Sequence, residues 1–162
     1  MTKKAHPKRK KASRQESCDY VIETLDWDFD YSLRLDPNRK VSAGPCWEYT
    51  SLILRGRFIK PQILAGKDVK VILLGSREIA FAMKKPLEVD WEPKSIGGLT
   101  VTKSQAEYLC YVSFDAFQLI ISSLAAGKIR YITLYGETLY RCRASIKSVS
   151  FESSYSTEED DK

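Results

Sequence analysis

The chain has 162 residues, of which 43% are hydrophobic and 29% charged, with 8 Gly and 6 Pro. These are ordinary values for a folded globular protein, and they exclude a collagen-like, coiled-coil, wholly disordered or disulfide-framework chain. The formal net charge of +5 is concentrated near the start, where Lys3, Lys4, Lys8, Arg9, Lys10, Lys11 and Arg14 stand against Glu16. The end is the reverse, with Glu152, Glu158, Glu159, Asp160 and Asp161 against Lys162.

Residues 1–17 carry no large apolar side chain after Met1. Such a segment cannot bury enough surface to offset the entropy of ordering it, so a disordered basic tail is expected there. Residues 152–162 are expected to form an acidic counterpart. Between them, 18–151 is expected to fold as a single β-rich domain. No apolar run approaches the roughly 18 residues needed to cross a bilayer as a helix. The basic start has no apolar segment behind it that would read as a secretory signal, so a soluble cytoplasmic protein is the expectation.

The clearest pattern in the body runs from Asp26 to Leu35. Polar and apolar residues alternate there for ten positions, placing Trp27, Phe29, Tyr31, Leu33 and Leu35 on one strand face and Asp26, Asp28, Asp30, Ser32 and Arg34 on the other. Asp36-Pro37-Asn38-Arg39 is turn chemistry. A second strand is expected from Cys46 to about Ile59, bent or bulged at Gly56. Shorter strands follow at Val69–Leu74, Leu99–Thr102 and Tyr108–Val112, and residues 76–94 read as loop.

One helix is expected at about 114–126. Ser113 suits its N-cap, Asp115 its first turn and Gly127 its C-terminal end. Phe114, Phe117, Ile120, Ile121 and Leu124 form its apolar stripe. A last hairpin pairs Ile129–Tyr135 with Leu139–Phe151 across a turn at Gly136-Glu137. The fold class expected from these elements is α+β and mostly β: an antiparallel sandwich or partly open barrel of about seven strands with one helix. Short connections favour antiparallel pairing for most neighbours.

Chemistry is constrained by a single histidine, His6, which lies in the basic tail. A Ser-His-Asp triad, a Cys-His pair and a histidine-bound zinc are therefore unavailable to the body. Phosphate-loop and dinucleotide-binding glycine motifs are absent from the sequence. Cys18, Cys46, Cys110 and Cys142 are too scattered for a zinc ribbon. Cys110 and Cys142, each among apolar residues, read as ordinary buried or half-buried thiols. No cofactor and no metal ion are expected.

Three candidate sites remain. Asp26, Asp28 and Asp30 stand about 6.6 Å apart along one strand face. Joined by Glu48 from a neighbouring strand, they would resemble the acidic cluster of a metal-dependent phosphodiester hydrolase. The simpler expectation is a solvated face. The run Lys8-Arg9-Lys10-Lys11 could neutralise phosphates in sequence-blind nucleic-acid binding. Arg141, Arg143 and Lys147 alternate along the last strand as a basic stripe, to which Arg55, Arg57 and Lys60 would add if their strand lay beside it. The function expected is a non-catalytic binding or assembly module of unknown ligand. A protein partner or self-association through an aromatic strand face is expected, with an accessory subunit that contacts nucleic acid through its basic tail as one form. The alternative is the Asp-centred hydrolase.

Overall fold

A computed structural model describes residues 16–35, 46–76 and 95–155. Seven strands form the framework: β1 (Ser17–Leu35), β2 (Cys46–Lys60), β3 (Asp68–Gly75), β4 (Gly97–Val101), β5 (Ala106–Val112), β6 (Tyr131–Glu137) and β7 (Arg143–Glu152). A 3-10 turn at Gln62–Leu64 follows β2, and α1 (Phe114–Ala125) links β5 to β6. The sheet closes on itself in the order β1-β2-β3-β5-β4-β7-β6. Among the described residues, the β-rich, seven-stranded fold with one helix is thus observed, and its barrel is fully closed. All neighbours run antiparallel except β3 and β5, which are parallel. β4 stands between β3 and β5 in the chain and forms a hairpin with β5, which turns β5 to run beside β3 in the same direction.

Alternation decides which side chains fill the barrel. Val69, Val71 and Leu73 of β3, Ala106, Tyr108 and Cys110 of β5, and Ile132 and Leu134 of β6 are buried at every second position. They meet Tyr20, Ile22, Leu52, Leu54, Phe58, Leu99 and Ile146 in one core. Burying apolar surface of this extent is the main stabilising term for such a domain. The helix closes it with Phe117, Ile120 and Leu124. The Ser113 hydroxyl accepts from the Ala116 N–H at 3.3 Å as an N-cap, and Gly127 takes the left-handed conformation after the helix with φ +66°.

Register shifts in β1, β2 and β7 break the in–out alternation, that of β2 leaving Ile59 extra between Phe58 and Lys60. In β1, Thr24 pairs with Gly56 and Asp26 with Arg55, leaving Leu25 as an extra residue. Even-numbered residues point inward before Leu25 (Tyr20, Ile22), and odd-numbered ones take over after it. Gly56 lies opposite, and a Cβ there would collide with the Glu23 carbonyl oxygen and lie 2.6 Å from Ile22 Cγ2. The bend expected at Gly56 is therefore the partner of a β1 bulge. In β7, Ile146 pairs with Gly136 and Ser148 with Tyr135, so Lys147 is the extra residue.

Three boundaries differ from expectation. β1 begins at Ser17, and Thr138 donates to the Glu16 carbonyl, so residues 16 and 17 belong to the barrel and not to a tail. β7 runs through Glu152, and the Tyr155 ring packs 6.1 Å from that of Tyr131. The last hairpin turns at Arg141-Cys142, not at Gly136-Glu137. Both residues have positive φ (48° and 68°), and Tyr140 and Arg143 exchange backbone hydrogen bonds across them. Gly136 remains in β6 because its missing Cβ admits the β7 bulge, whose Ser145 carbonyl a side chain would strike.

Candidate functional site

The β1 bulge creates the most unusual surface of the molecule. Before it, β1 is flanked by β2 on one edge and by β6, through Ser17–Glu23, on the other. Thr24 closes that second edge by donating to the Arg130 carbonyl at 2.8 Å. After the bulge, Asp26–Leu35 pairs with β2 alone among the described residues. β3 pairs with β2 only from Ser51 to Arg57. The last five pairs, Tyr31–Leu35 against Cys46–Thr50, are therefore a two-stranded ribbon among the described residues. The five residues of this ribbon span roughly 17 Å, which makes it an arm leaving the barrel at the end of β1.

The arm's apolar face begins as core and ends in solvent. Trp27 lies opposite the buried Leu54 and packs against the core. Phe29 lies opposite the buried Leu52, and its ring sits 6.0 Å from that of Phe117 on the helix. Beyond the helix nothing comparable covers the face among the described residues: Phe29 is 44% exposed, Tyr31 49%, Leu33 58% and Leu35 77%. The Tyr31 hydroxyl lies 3.5 Å from a Glu48 carboxylate oxygen.

The opposite face carries the aspartates. Arg55 reaches Asp26 at 2.9 Å and Asp28 at 4.0 Å, all exposed. Asp28 also accepts the Phe29 N–H at 2.9 Å. Glu48 does not join them. It pairs with Leu33, and opposite residues of an antiparallel pair share a face, so it belongs to the apolar side. The three aspartates thus fan along an open strand with a guanidinium among them, and no group of three His, Cys, Asp or Glu residues is placed to hold a metal among the described residues.

The second candidate surface lies outside β4 and β7. Gly98 pairs with Ser145 and Thr100 with Arg143, and these four outward positions floor an open groove of about 720 Å³. The strained turn folds Arg141 over the Tyr140 ring at 5.2 Å, so Arg141 and Arg143 both line the groove, with Glu137 as an opposing charge. Lys147, at the β7 bulge, lies outside it. The expected three-residue stripe is therefore two arginines beside a turn. Arg55, Arg57 and Lys60 do not extend it: β2 stands between β1 and β3, away from β7. Arg57 is instead paired with Asp68 at 3.1 Å.

Cys142 is exposed in the turn, contrary to the expectation of a buried or half-buried thiol, whereas Cys110 is buried as expected. Burial pushes the Cys110 thiol, and the Tyr20 and Tyr108 hydroxyls, well above their ordinary ranges. Tyr20 donates to the Glu137 carbonyl at 2.7 Å. Burial inside the barrel thus favours the neutral forms of these groups. His6, Lys8, Arg9, Lys10 and Lys11 lie outside the described residues.

The fold and its surfaces define a helix-capped, closed seven-stranded barrel with a projecting β arm. Comparison with known protein families, with curated proteins and with solved structures gives no match to this chain. No helix among the described residues is long and apolar enough to cross a membrane.

Proposed function

We propose that the protein is a non-catalytic binding or assembly module whose contact element is the β1–β2 arm. The observation that carries this reading is the arm's combination of an exposed apolar face with a strand edge unpaired among the described residues. A two-stranded ribbon is marginal on its own in water. An exposed strand edge is a template for further pairing unless it is blunted. Fully burying one exposed leucine is worth about 1.5–3 kcal/mol, so a partner covering Leu33 and Leu35 would stabilise both itself and the arm. Support also comes from the aspartates Asp26 and Asp28, which lie exposed beside the Arg55 guanidinium.

The partner class in this reading is a protein. Nucleic-acid contact by Lys8, Arg9, Lys10 and Lys11 is a compatible addition, in a cytoplasmic setting. The test is photo-cross-linking from the full chain. A benzoylphenylalanine replacing Leu35 is compared with one replacing Ile63, which is 88% exposed on the 3-10 turn. Discrete adducts from position 35 and none from position 63 are expected. Equal labelling from both positions, or none from position 35, would overturn the reading.

A further inference from the structure

We infer that the arm's partner is a second copy of this chain, joined edge to edge by antiparallel pairing of β1 residues 27–35 about a two-fold axis at Tyr31. The inference rests on the arm being a contact element and adds the identity and register of what it contacts.

Directly opposed residues in an antiparallel pair point to the same side of the sheet. A two-fold pairing must therefore match odd positions with odd and even with even, and its centre must fall on a residue. Centred on Tyr31, the pairing sets Asp28 opposite Arg34 twice, by symmetry, and Asp30 opposite Ser32 twice. On the other side Trp27 meets Leu35, Phe29 meets Leu33, and Tyr31 meets its own copy. Every opposed pair is then oppositely charged, polar with charge, or apolar with apolar. Such cross-strand pairs are the unit of sheet stabilisation.

Other registers oppose like charges or match less of the segment. Centring on Asp30 opposes that carboxylate with itself, and a parallel in-register pairing stacks Asp26, Asp28 and Asp30 each on its copy. Centring on Ser32 sets Asp30 opposite Arg34 but pairs only residues 29–35, leaving Trp27 and Asp28 with no opposed residue of the strand. The aspartates, which discourage most edge pairing, thus favour the Tyr31 register. The structure leaves the needed charges free: Arg34 and Asp30 have no ion-pair partner among the described residues, and Asp28 has only the distant Arg55. The segment 27–35 holds no proline, glycine or lysine to blunt its edge. It lies wholly beyond Ser17–Glu23, where β6 occupies that edge, so the barrel need not open. The product is a four-stranded sheet, β2-β1-β1-β2, with one shared apolar face.

Sedimentation velocity on the full chain tests this with charge reversal. Wild type is expected to be a concentration-dependent dimer. Asp28→Arg and Arg34→Asp are each expected to raise the dissociation constant roughly tenfold or more, because each converts two attractive pairs into two repulsive ones. The double variant Asp28→Arg/Arg34→Asp restores both pairs and is expected to return toward wild type. Circular dichroism checks that each variant, altered only at exposed positions, is folded. Mild oxidation fixes the register: Tyr31→Cys is expected to give a disulfide-linked dimer, and Leu35→Cys, whose copy lies about 26 Å away in this pairing, is not. A monomeric wild type, no rescue by the double variant, or readier linkage from Leu35→Cys would overturn the inference. If the wild type is monomeric while position 35 still cross-links to a different protein, the arm remains a contact element and only its self-pairing is lost.

Discussion

Two adjacent glycines of β4 give opposite responses to the same substitution. Gly97 faces the barrel where β4 meets β5. A Cβ there would stand 2.6 Å from the Leu109 carbonyl oxygen, 2.7 Å from the Tyr108 ring and 2.8 Å from Cys110 Cβ. None of these can swing aside. The first is backbone, the second a fully buried ring, and the third is fixed to its strand. Gly97→Ala must therefore push β4 away from β5 by most of an ångström. Forcing extra atoms into a packed core costs about 1–3 kcal/mol, and three rigid contacts place this case near the upper end. A loss of that size lowers Tm by on the order of 5–12 °C in a domain of this length.

Gly98 points the other way. Its Cβ would meet nothing within 4 Å and its backbone conformation suits any L residue. Gly98→Ala should be neutral or stabilising by about 0.4–1 kcal/mol, through the unfolded chain's lost freedom. Urea unfolding of both variants beside wild type, followed by circular dichroism, measures the pair. If Gly97→Ala matches wild type, or Gly98→Ala is as damaging as its neighbour, β4 is not wedged against β5 as described.

Other consequences follow from single features. Replacing Arg141-Cys142 with Asn-Gly should stabilise the barrel by roughly 1–2 kcal/mol in thermal unfolding, because both positions demand positive φ and the native residues resist it. Ser113→Ala should cost about 1 kcal/mol in urea unfolding, the usual value of a lost N-cap. The Cys110, Tyr20 and Tyr108 groups have folded pKa values raised above unfolded ones near 9.0 and 10.0. Their stabilising contribution is complete below about pH 9 and is lost as pH rises beyond it, so the urea midpoint should hold from pH 7 to 8.5 and fall by pH 10.5. A flat midpoint to pH 10.5 would contradict that burial. Alkylation at pH 8, mapped by mass spectrometry, should modify Cys142 quickly and Cys110 only after unfolding.

Most of the barrel is legible in the sequence because strands announce themselves by period two. Val69–Leu74, Tyr108–Val112 and the arm all lie inside observed strands, and the Ser113, Asp115 and Gly127 signals bracket the helix. The failures occur where one residue breaks the period. The extra Leu25 hides residues 17–25 as strand, since inward positions are even before it and odd after it. In β7 the strand itself is legible, but the extra Lys147 switches its inward positions from even to odd and takes Lys147 out of the expected basic stripe. Gly136-Glu137 looks like a hairpin turn, but that glycine is needed for close approach inside a strand, while the real turn uses Arg141-Cys142, two residues with no turn preference.

Site legibility follows the same division. Alternation establishes the arm's two faces without revealing that its apolar face runs past the end of the core, because exposure depends on where β3, β6 and α1 stop. Glu48 is near the aspartates in strand pairing but on the wrong face, which requires the register of β1 against β2. Arg141 and Arg143 come together through a turn that alternation alone cannot place.

The central claim is that the edge of β1 beyond Leu25 is where this protein makes contact. Hydrogen–deuterium exchange of the full chain at low and high protein concentration measures it most directly. Amides of residues 27–35 should gain protection as concentration rises, while those of β5 and β6 stay as they were. Exchange at 27–35 that is indifferent to concentration, with new protection arising elsewhere on the barrel, would contradict the account.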